Sequence, residues 1–247
     1  MLDLTENKAC VLFSGGSDSS FVAHTISKEY REVHLLTFRQ FGLVGIERSE
    51  LSFRLLDRKV PAKFIHRVID TSQIFRTLCY HDYVRHLFRH GTLTIITTCG
   101  ACQFSFYVRV ILYCIEVGIT DIYDGANTGH DLSPMHIREV NKEIANLCER
   151  CDLSHRSRLF EEHSSKRSDA ELFWLGLREK NNMKGDDREH WRYQPGCHFS
   201  HAVGYYRLWK SRTPGYREKA QRDIIRFYRT EMDYLRSLID RSIEERI

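Results

Sequence analysis

The chemistry legible in this chain starts at Ser14-Gly15-Gly16-Ser17-Asp18-Ser19-Ser20. Two adjacent glycines let a backbone approach a ligand closely, and Ser14, Ser17, Ser19 and Ser20 set hydroxyls around them. Residues 9–13 before them are short, apolar and β-favouring, whereas Phe21, Val22, Ala23 and Ile26 after them recur at helical spacing. The segment therefore reads as strand, tight loop, helix. The free N–H groups and dipole of a helix start favour an anion. Asp18 beside a phosphate would repel it unless a cation bridges the two, which implies Mg²⁺. A polar turn capped by Asp18 or Ser19, with no ligand, is the plainer alternative.

Cysteines supply the second set of reactive groups. Two C-x-x-C pairs occur, Cys99-Gly-Ala-Cys102 and Cys148-Glu-Arg-Cys151, and Cys197 lies in Gln194-Pro195-Gly196-Cys197-His198. A zinc site built from both pairs is disfavoured, because Cys148 and Cys151 end an amphipathic helix where Cys148 suits an apolar core. Glycine and proline around Cys197 suggest a loop position. Cys10, Cys79 and Cys114 sit in apolar patterns and read as inert. Of the histidines, His130, His198 and His201 fall near these groups in sequence.

The elements that must position these residues follow from periodicity. Residues 33–38 form a buried second strand carrying Thr37, 44–59 a helix, and 62–69 a third strand ending at a candidate N-cap, Asp70-Thr71-Ser72. Residues 74–90 read as a helix, 93–98 (Leu-Thr-Ile-Ile-Thr-Thr) as a fourth strand, 104–117 as an apolar helix, and 121–123 as a fifth strand running into Gly125. The alternation predicts an α/β fold with a doubly wound, mostly parallel, Rossmann-like five-stranded sheet. Ligands of such sheets lie beyond the carboxyl ends of the strands. The glycine loop, Thr37, Cys99 and Gly125 all fall at such ends, so one shared site is expected.

Past about residue 135 the sheet pattern fades. Residues 137–150 and 168–179 are helical in pattern, 181–187 are turn-rich, and 191–210 are aromatic. Thr213-Pro214 signals the start of a last helix, with Ile224, Tyr228, Met232, Leu235, Ile239 and Ile243 as one apolar stripe over roughly 30 residues. That stripe packs on its own domain or, less simply, forms a homo-oligomer contact. The expected division is a nucleotide-handling domain at 1–185 and a basic, aromatic helical extension at 186–247.

The loop Ser14-Gly15-Gly16-Ser17-Asp18-Ser19 resembles the PP-loop of the N-type ATP pyrophosphatases, the adenine nucleotide alpha hydrolase-like superfamily; the Gly-Lys-Ser/Thr of a Walker loop is absent. The resemblance implies ATP with Mg²⁺, adenylation of a substrate with loss of pyrophosphate, and displacement of AMP by a nucleophile. It places Ser14 to Ser20, Thr37 and Gly125 around the nucleotide, with Asp18 acting through the metal. Cys99, Cys102 and Cys197 together look like the cysteine set of the sulfur-transferring members, the tRNA thiolases and the sulfur transferases of a nickel-pincer cofactor. Asp124-Gly125-Ala126-Asn127 is similar to the Asp-Gly-Thr-Asn-like turn of the latter. In the pincer enzymes an Ala-Cys-Leu-Ala-Ser-Arg-like string stands where this chain has Pro-Gly-Cys-His-Phe-Ser, and their C-terminal end is shorter. By this resemblance Cys99, Cys102 and Cys197 would hold a [4Fe–4S] cluster with one iron open to sulfide. Otherwise Cys197 would give up its own sulfur or carry a persulfide. The alternatives are an amide- or nitrile-forming synthase of the deazaguanine type, with zinc or nothing on the cysteines, and a non-catalytic ATP-binding regulator.

Composition narrows the partners. The 247 residues are 42% hydrophobic and 12% aromatic, enough for a sizeable core. No apolar run approaches the roughly 20 residues of a membrane span, and no signal-peptide pattern opens the chain. A cytoplasmic protein with unpaired cysteines and no membrane partner is expected. The net charge of +4 is uneven: residues 188–229 carry ten Lys/Arg against three acids. Interleaved with Trp191, Tyr193, Tyr205, Tyr206 and Trp209, these cations suit RNA or a nucleotide-like small-molecule acceptor. Equally, the aromatics could form the core of the C-terminal unit.

Overall fold

The computed structural model describes residues 7–90, 94–127, 134–159, 196–197, 209–210 and 212–245. Its centre is a five-stranded parallel sheet of β1 (Lys8–Leu12), β2 (Glu32–Arg39), β4 (Lys63–Asp70), β5 (Asp121–Tyr123) and β6 (Ser154–Arg156), in the order β4-β2-β1-β5-β6. A short antiparallel pair, β3 (Leu43–Val44) and β7 (Gly196–Cys197), stands apart from it. The chain order reverses between β1 and β5, and this switch point is where such sheets open a crevice for ligands.

Both faces of the sheet are covered, so β1 and β2 are buried almost throughout instead of alternating. Cys10, Leu12, Leu36, Phe38 and Ile122 join one core with α5 (Thr94–Val117), α6 (Arg138–Glu149) and the last helix, α7 (Tyr216–Glu244). Ala9, Val11, Phe13, Val33, Leu35 and Tyr123 join the other, against α1 (Ser17–Ile26) and α2 (Arg48–Lys59). Asp70 caps α3 (Ser72–Arg76) as expected: its Oδ1 accepts the Ser72 N–H at 2.7 Å, which holds the carboxyl below its ordinary range.

The expected fourth strand is wrong. Residues 94–98 are helical and open α5, which runs unbroken to Val117. The β-branched run 93–98 follows local propensity, a preference that tertiary context readily overrides. The missing strand is instead β6, whose Ser-His-Arg is too polar to stand out but suits an edge. Cys99 and Cys102 consequently lie inside a helix and not at a strand end. Two helices also differ from expectation. The helix foreseen over 74–90 is α3, a π-turn (Thr77–His81) and α4 (Tyr83–His90). The last helix begins at Tyr216, after Gly215 in the left-handed region (φ 73°), and not at Pro214.

The span Cys99–Val117 within α5 is long and apolar enough to cross a membrane by length and composition, against the sequence expectation. Here it is a core helix: Phe104, Tyr107, Val108, Ile111, Leu112 and Cys114 are all buried. A helix apolar on every side is expected at that depth.

The α7 stripe packs on the chain itself. Ile224, Phe227, Tyr228, Met232, Leu235 and Ile239 are buried in the same core as α5 and α6. The Phe227 ring stacks on Phe104 at 5.3 Å and meets His86 at 5.7 Å, so it has little room to move. A Cβ on Gly100 would stand 2.2 Å from Phe227 Cε1. Gly100→Ala should therefore destabilise the fold by about 1–3 kcal/mol despite alanine's better helix propensity. Thermal denaturation checks this, and an unchanged or raised Tm would show the α5–α7 packing to be looser than described.

Candidate functional site

A cleft of ≈ 430 Å³ opens at the switch point, lined by Ser14, Gly16, Ser17, Asp18, Ser19, Thr37, Gly125 and their apolar neighbours Phe38, Leu43 and Phe106. The loop after β1 is strung by its own hydroxyls. Gly16 N–H donates to Ser14 Oγ at 3.3 Å, and Ser19 Oγ donates to the Gly16 carbonyl at 3.2 Å. Gly15 is in the left-handed region (φ 77°), where a side chain would be strained, and its carbonyl accepts Ser52 Oγ at 2.7 Å from α2. Gly15 and Ser20 shape the loop from behind; neither lines the cleft.

Asp18 sits in the first turn of α1, and its Oδ2 accepts Asn127 Nδ2 at 2.9 Å. Carboxylate and serine hydroxyls are hard oxygen donors in a cleft otherwise arranged for an anion, a set that suits Mg²⁺. Gly125 is small for a reason visible here: a Cβ would lie 2.9 Å from Ser19 N and 3.1 Å from the Asp18 carbonyl carbon. The turn after β5 thus presses directly on the glycine loop.

That turn is pinned by Asp124, which is fully buried. Its Oδ2 accepts Tyr107 O–H at 2.7 Å and His155 Nε2 at 2.9 Å, and its Oδ1 accepts the Ala126 N–H at 3.0 Å. Burial works to raise this carboxyl, but His155, Ser157 and Tyr107 outweigh it and hold it below the ordinary range. His155 and Tyr107 had no sequence signal, because they come from β6 and the middle of α5.

A second network flanks the cleft. Gln40, just past β2, is buried and donates Nε2–H to Cys102 Sγ at 2.7 Å, while its Oε1 accepts Thr71 Oγ1 at 2.9 Å and Ser105 Oγ at 2.7 Å. Burial pushes the Cys102 thiol well above its ordinary pKa. Cys197, Cys99 and Cys79 push it the same way, and the Gln40 hydrogen bond only partly offsets them. The fold therefore brings Cys99, Cys197 and, from the π-turn, Cys79 within electrostatic reach of Cys102. The sequence pattern of Cys79 suggests an inert residue, and the structure gives it this company. Register ties the group to the cleft: Cys197 pairs with Leu43, and Phe106 lies one helical turn after Cys102, both being cleft-lining residues.

Among the described residues no group of three His, Cys, Asp or Glu side chains stands in metal-holding geometry. The three thiols are gathered but not set as a cluster cage. Cys148 is buried in the core, and Cys151 accepts Arg236 Nη1 at 2.9 Å, so this pair belongs to the α6–α7 packing. His130, His198 and His201, the helix foreseen over 168–179, the turn-rich 181–187 and the aromatics 191–208 lie outside the described residues. Trp209 is 61% exposed, with Lys210 Nζ 4.8 Å above its ring.

No protein-family model matches the chain, and no curated protein matches it in sequence. Solved structures do. A predicted tRNA methyltransferase subunit from Methanocaldococcus jannaschii is 17% identical, over 67% of this chain and 75% of that one, with a TM-score of 0.43. A U34-tRNA thiolase from Methanococcus maripaludis, solved with its [4Fe–4S] cluster, is 15% identical over 92% of this chain and 73% of that one (TM-score 0.45). NMN synthetase from Francisella tularensis is 11% identical over 94% of this chain and 87% of that one (TM-score 0.50). The last likeness is one of fold alone, a doubly wound parallel α/β sheet.

Proposed function

We propose that this chain is an ATP-dependent enzyme that binds MgATP in the cleft, cleaves it between the α- and β-phosphates, and uses the resulting substrate adenylate for sulfur transfer. The observation that carries the reading is the meeting of the Ser14–Ser19 loop, Asp18, Thr37 and Gly125 in one cleft beside a gathered set of thiols. Loop N–H groups and hydroxyls hold the phosphates, and the start of α1 adds its dipole. Asp18 and the loop hydroxyls would hold the Mg²⁺ that comes with ATP, and that cation would supply charge neutralisation at the departing pyrophosphate. Apolar walls at Phe38, Leu43 and Phe106 suit a nucleobase.

Within the thiol group the roles divide by environment. Cys102, raised by burial and tied to Gln40, stays protonated near neutral pH and is a poor nucleophile. Cys197 is the sulfur carrier in this reading. A persulfide placed on it by a separate donor attacks the adenylated carbon through its outer sulfur and AMP leaves. The Cys99 thiol then attacks the Cys197 sulfur, releasing the thiolated product and leaving a Cys99–Cys197 disulfide that an external thiol reductant reopens for the next turnover. Because the thiols do not stand in ligand geometry, no step runs through a cluster. The acceptor is a nucleotide-like small molecule or RNA; the cations of 209–229 and the exposed Trp209 favour a polyanion.

Cys197→Ser separates the two halves of the reading. It should abolish transfer of sulfur while single-turnover pyrophosphate release, which precedes any thiol step, stays within about threefold of wild type. If thiolated product survives in that variant, Cys197 is not the carrier. The burial of Cys102 favours a second reading, in which the cysteines are structural and the nucleophile is ammonia, giving an amide or nitrile. Ammonia-dependent AMP release with no sulfur requirement would select it.

A further inference from the structure

A line of three side chains reaches the cleft from its outer flank. Thr37 Oγ1, on β2, lies 3.0 Å from His66 Nε2, and His66 Nδ1 lies 3.0 Å from Glu50 Oε2 on α2. Parallel register brings this about. His66 on β4 sits opposite Leu35, and Thr37 is two residues further along β2, on the same face. The His66 side chain is buried, stacked on Phe53 at 5.1 Å and edge-on to Phe13 at 5.8 Å.

Hydrogen bookkeeping fixes what this line can be. The single Thr37 hydroxyl hydrogen goes to the Phe13 carbonyl at 2.6 Å. The contact to Nε2 must then be donated by the ring, because Thr37 has no second hydrogen to give. Ionised Glu50 only accepts, so Nδ1 donates as well. An imidazolium, with hydrogen on both nitrogens, is therefore the state of His66 that satisfies all three contacts at once. When the ring loses the Nε2 proton, Nε2 becomes an acceptor and competes with the Phe13 carbonyl for the Thr37 hydrogen. Phe13 immediately precedes the glycine loop, so that hydrogen is the side-chain tie between β2 and the residue before the loop, beside the backbone bond from the Phe13 N–H to the Leu36 carbonyl at 2.8 Å.

We propose that His66 is a positioning residue for the cleft: held by Glu50, its proton sets the direction of the Thr37 hydroxyl, and so whether the Phe13 carbonyl, at the entry to the phosphate-binding loop, is held by β2. The inference rests on reading the cleft as a MgATP site. The titratable and charged groups facing His66 are Glu50 and, behind it, Arg54, whose Nε donates to Glu50 at 2.9 Å. Among the described residues, β2 and the residue before the loop present only the Thr37 hydroxyl and the Phe13 ring. Burial pushes the His66 ring below its ordinary pKa and Glu50 pulls it back, so it titrates on the acid side of that value.

The sign follows. The protonated ring adds a positive charge near an anionic ligand and keeps the Phe13 carbonyl held by Thr37, so nucleotide binding is tightest with His66 protonated and weakens as pH rises. Reciprocally, MgATP raises the ring's titration point. The test measures MgATP affinity of the full chain from about pH 5.5 to about pH 7.5, with ring NMR of His66 in the free and MgATP-bound protein. Wild type divided by His66→Gln should lose roughly threefold or more in affinity across that window, as a half-unit or larger displacement requires. Glu50→Gln should move the inflection to lower pH. Thr37→Val should leave the ring titrating but reduce the pH dependence of binding to what the ring's charge alone supplies. Superimposed profiles for wild type and His66→Gln, or a ring whose titration MgATP does not move, overturn the inference while leaving the ATP site standing. No MgATP binding at any pH overturns both.

Discussion

Asp18→Asn should lower AMP formation from ATP by about 10²- to 10³-fold, or about 3–4 kcal/mol of barrier, while leaving the fold unchanged. The two effects separate cleanly at this position. Asn127 Nδ2 donates to Asp18 Oδ2 at 2.9 Å, and an asparagine carbonyl oxygen can still accept that bond. What the substitution removes is the negative charge, and without it a divalent cation loses its protein carboxylate. The glycine loop and the start of α1 remain to attract phosphate, so ATP affinity should fall less than turnover. Thermal denaturation should place the variant within about 0.5 kcal/mol of wild type. Activity within tenfold of wild type would mean that Asp18 caps a turn and does no chemistry.

Asp124→Asn should be the more damaging change to stability, at about 3–5 kcal/mol. Asp124 is fully buried, and its two oxygens serve Tyr107, His155 and the Ala126 N–H at once. An amide offers one acceptor oxygen where the carboxylate offers two, and its NH₂ would face a donor. In a chain of this length the loss corresponds to a Tm lowered by about 10 °C. Because Gly125 presses against Ser19 and Asp18, slackening of the turn should also weaken nucleotide binding. The pH dependence has a definite sign. The folded carboxyl titrates below its unfolded value, so its contribution is present in full above about pH 4 and is lost as pH falls further. A variant within 1 kcal/mol of wild type would show that the buried network does not fix the turn.

Much of the site was legible because glycines, hydroxyls and an acid at fixed spacing leave few other structures to adopt. The loop, the helix after it, Thr37 at the end of β2 and the Asp124–Asn127 turn were all readable from local pattern. The partners that set their geometry were not. His66 and Glu50 reach Thr37 only through strand register and the packing of α2, and Gln40 reaches Cys102 across 62 residues of sequence. The sheet's edge misled in both directions. A β-branched run at 93–98 promised a strand and, from residue 94, became helix, while a polar tripeptide at 154–156 became one. Edge strands need little apolar surface, so periodicity is a weak guide to them. Cys99, Cys102 and Cys197 were grouped by resemblance alone. The structure brings Cys99 and Cys197 within electrostatic reach of Cys102 by a route the sequence could not show, a helix and the short β3–β7 pair.

The central claim is that ATP is cut between its α- and β-phosphates in this cleft. Label at the α-phosphate, followed with Mg²⁺ in the presence of a sulfur donor and either pooled RNA or pooled nucleotide-like small molecules, tests it directly. The expected products are labelled AMP and unlabelled pyrophosphate, formed by wild type and lost in Asp18→Asn. Labelled ADP with free phosphate would contradict the claim, as would ATP that binds and remains intact with every acceptor and donor supplied.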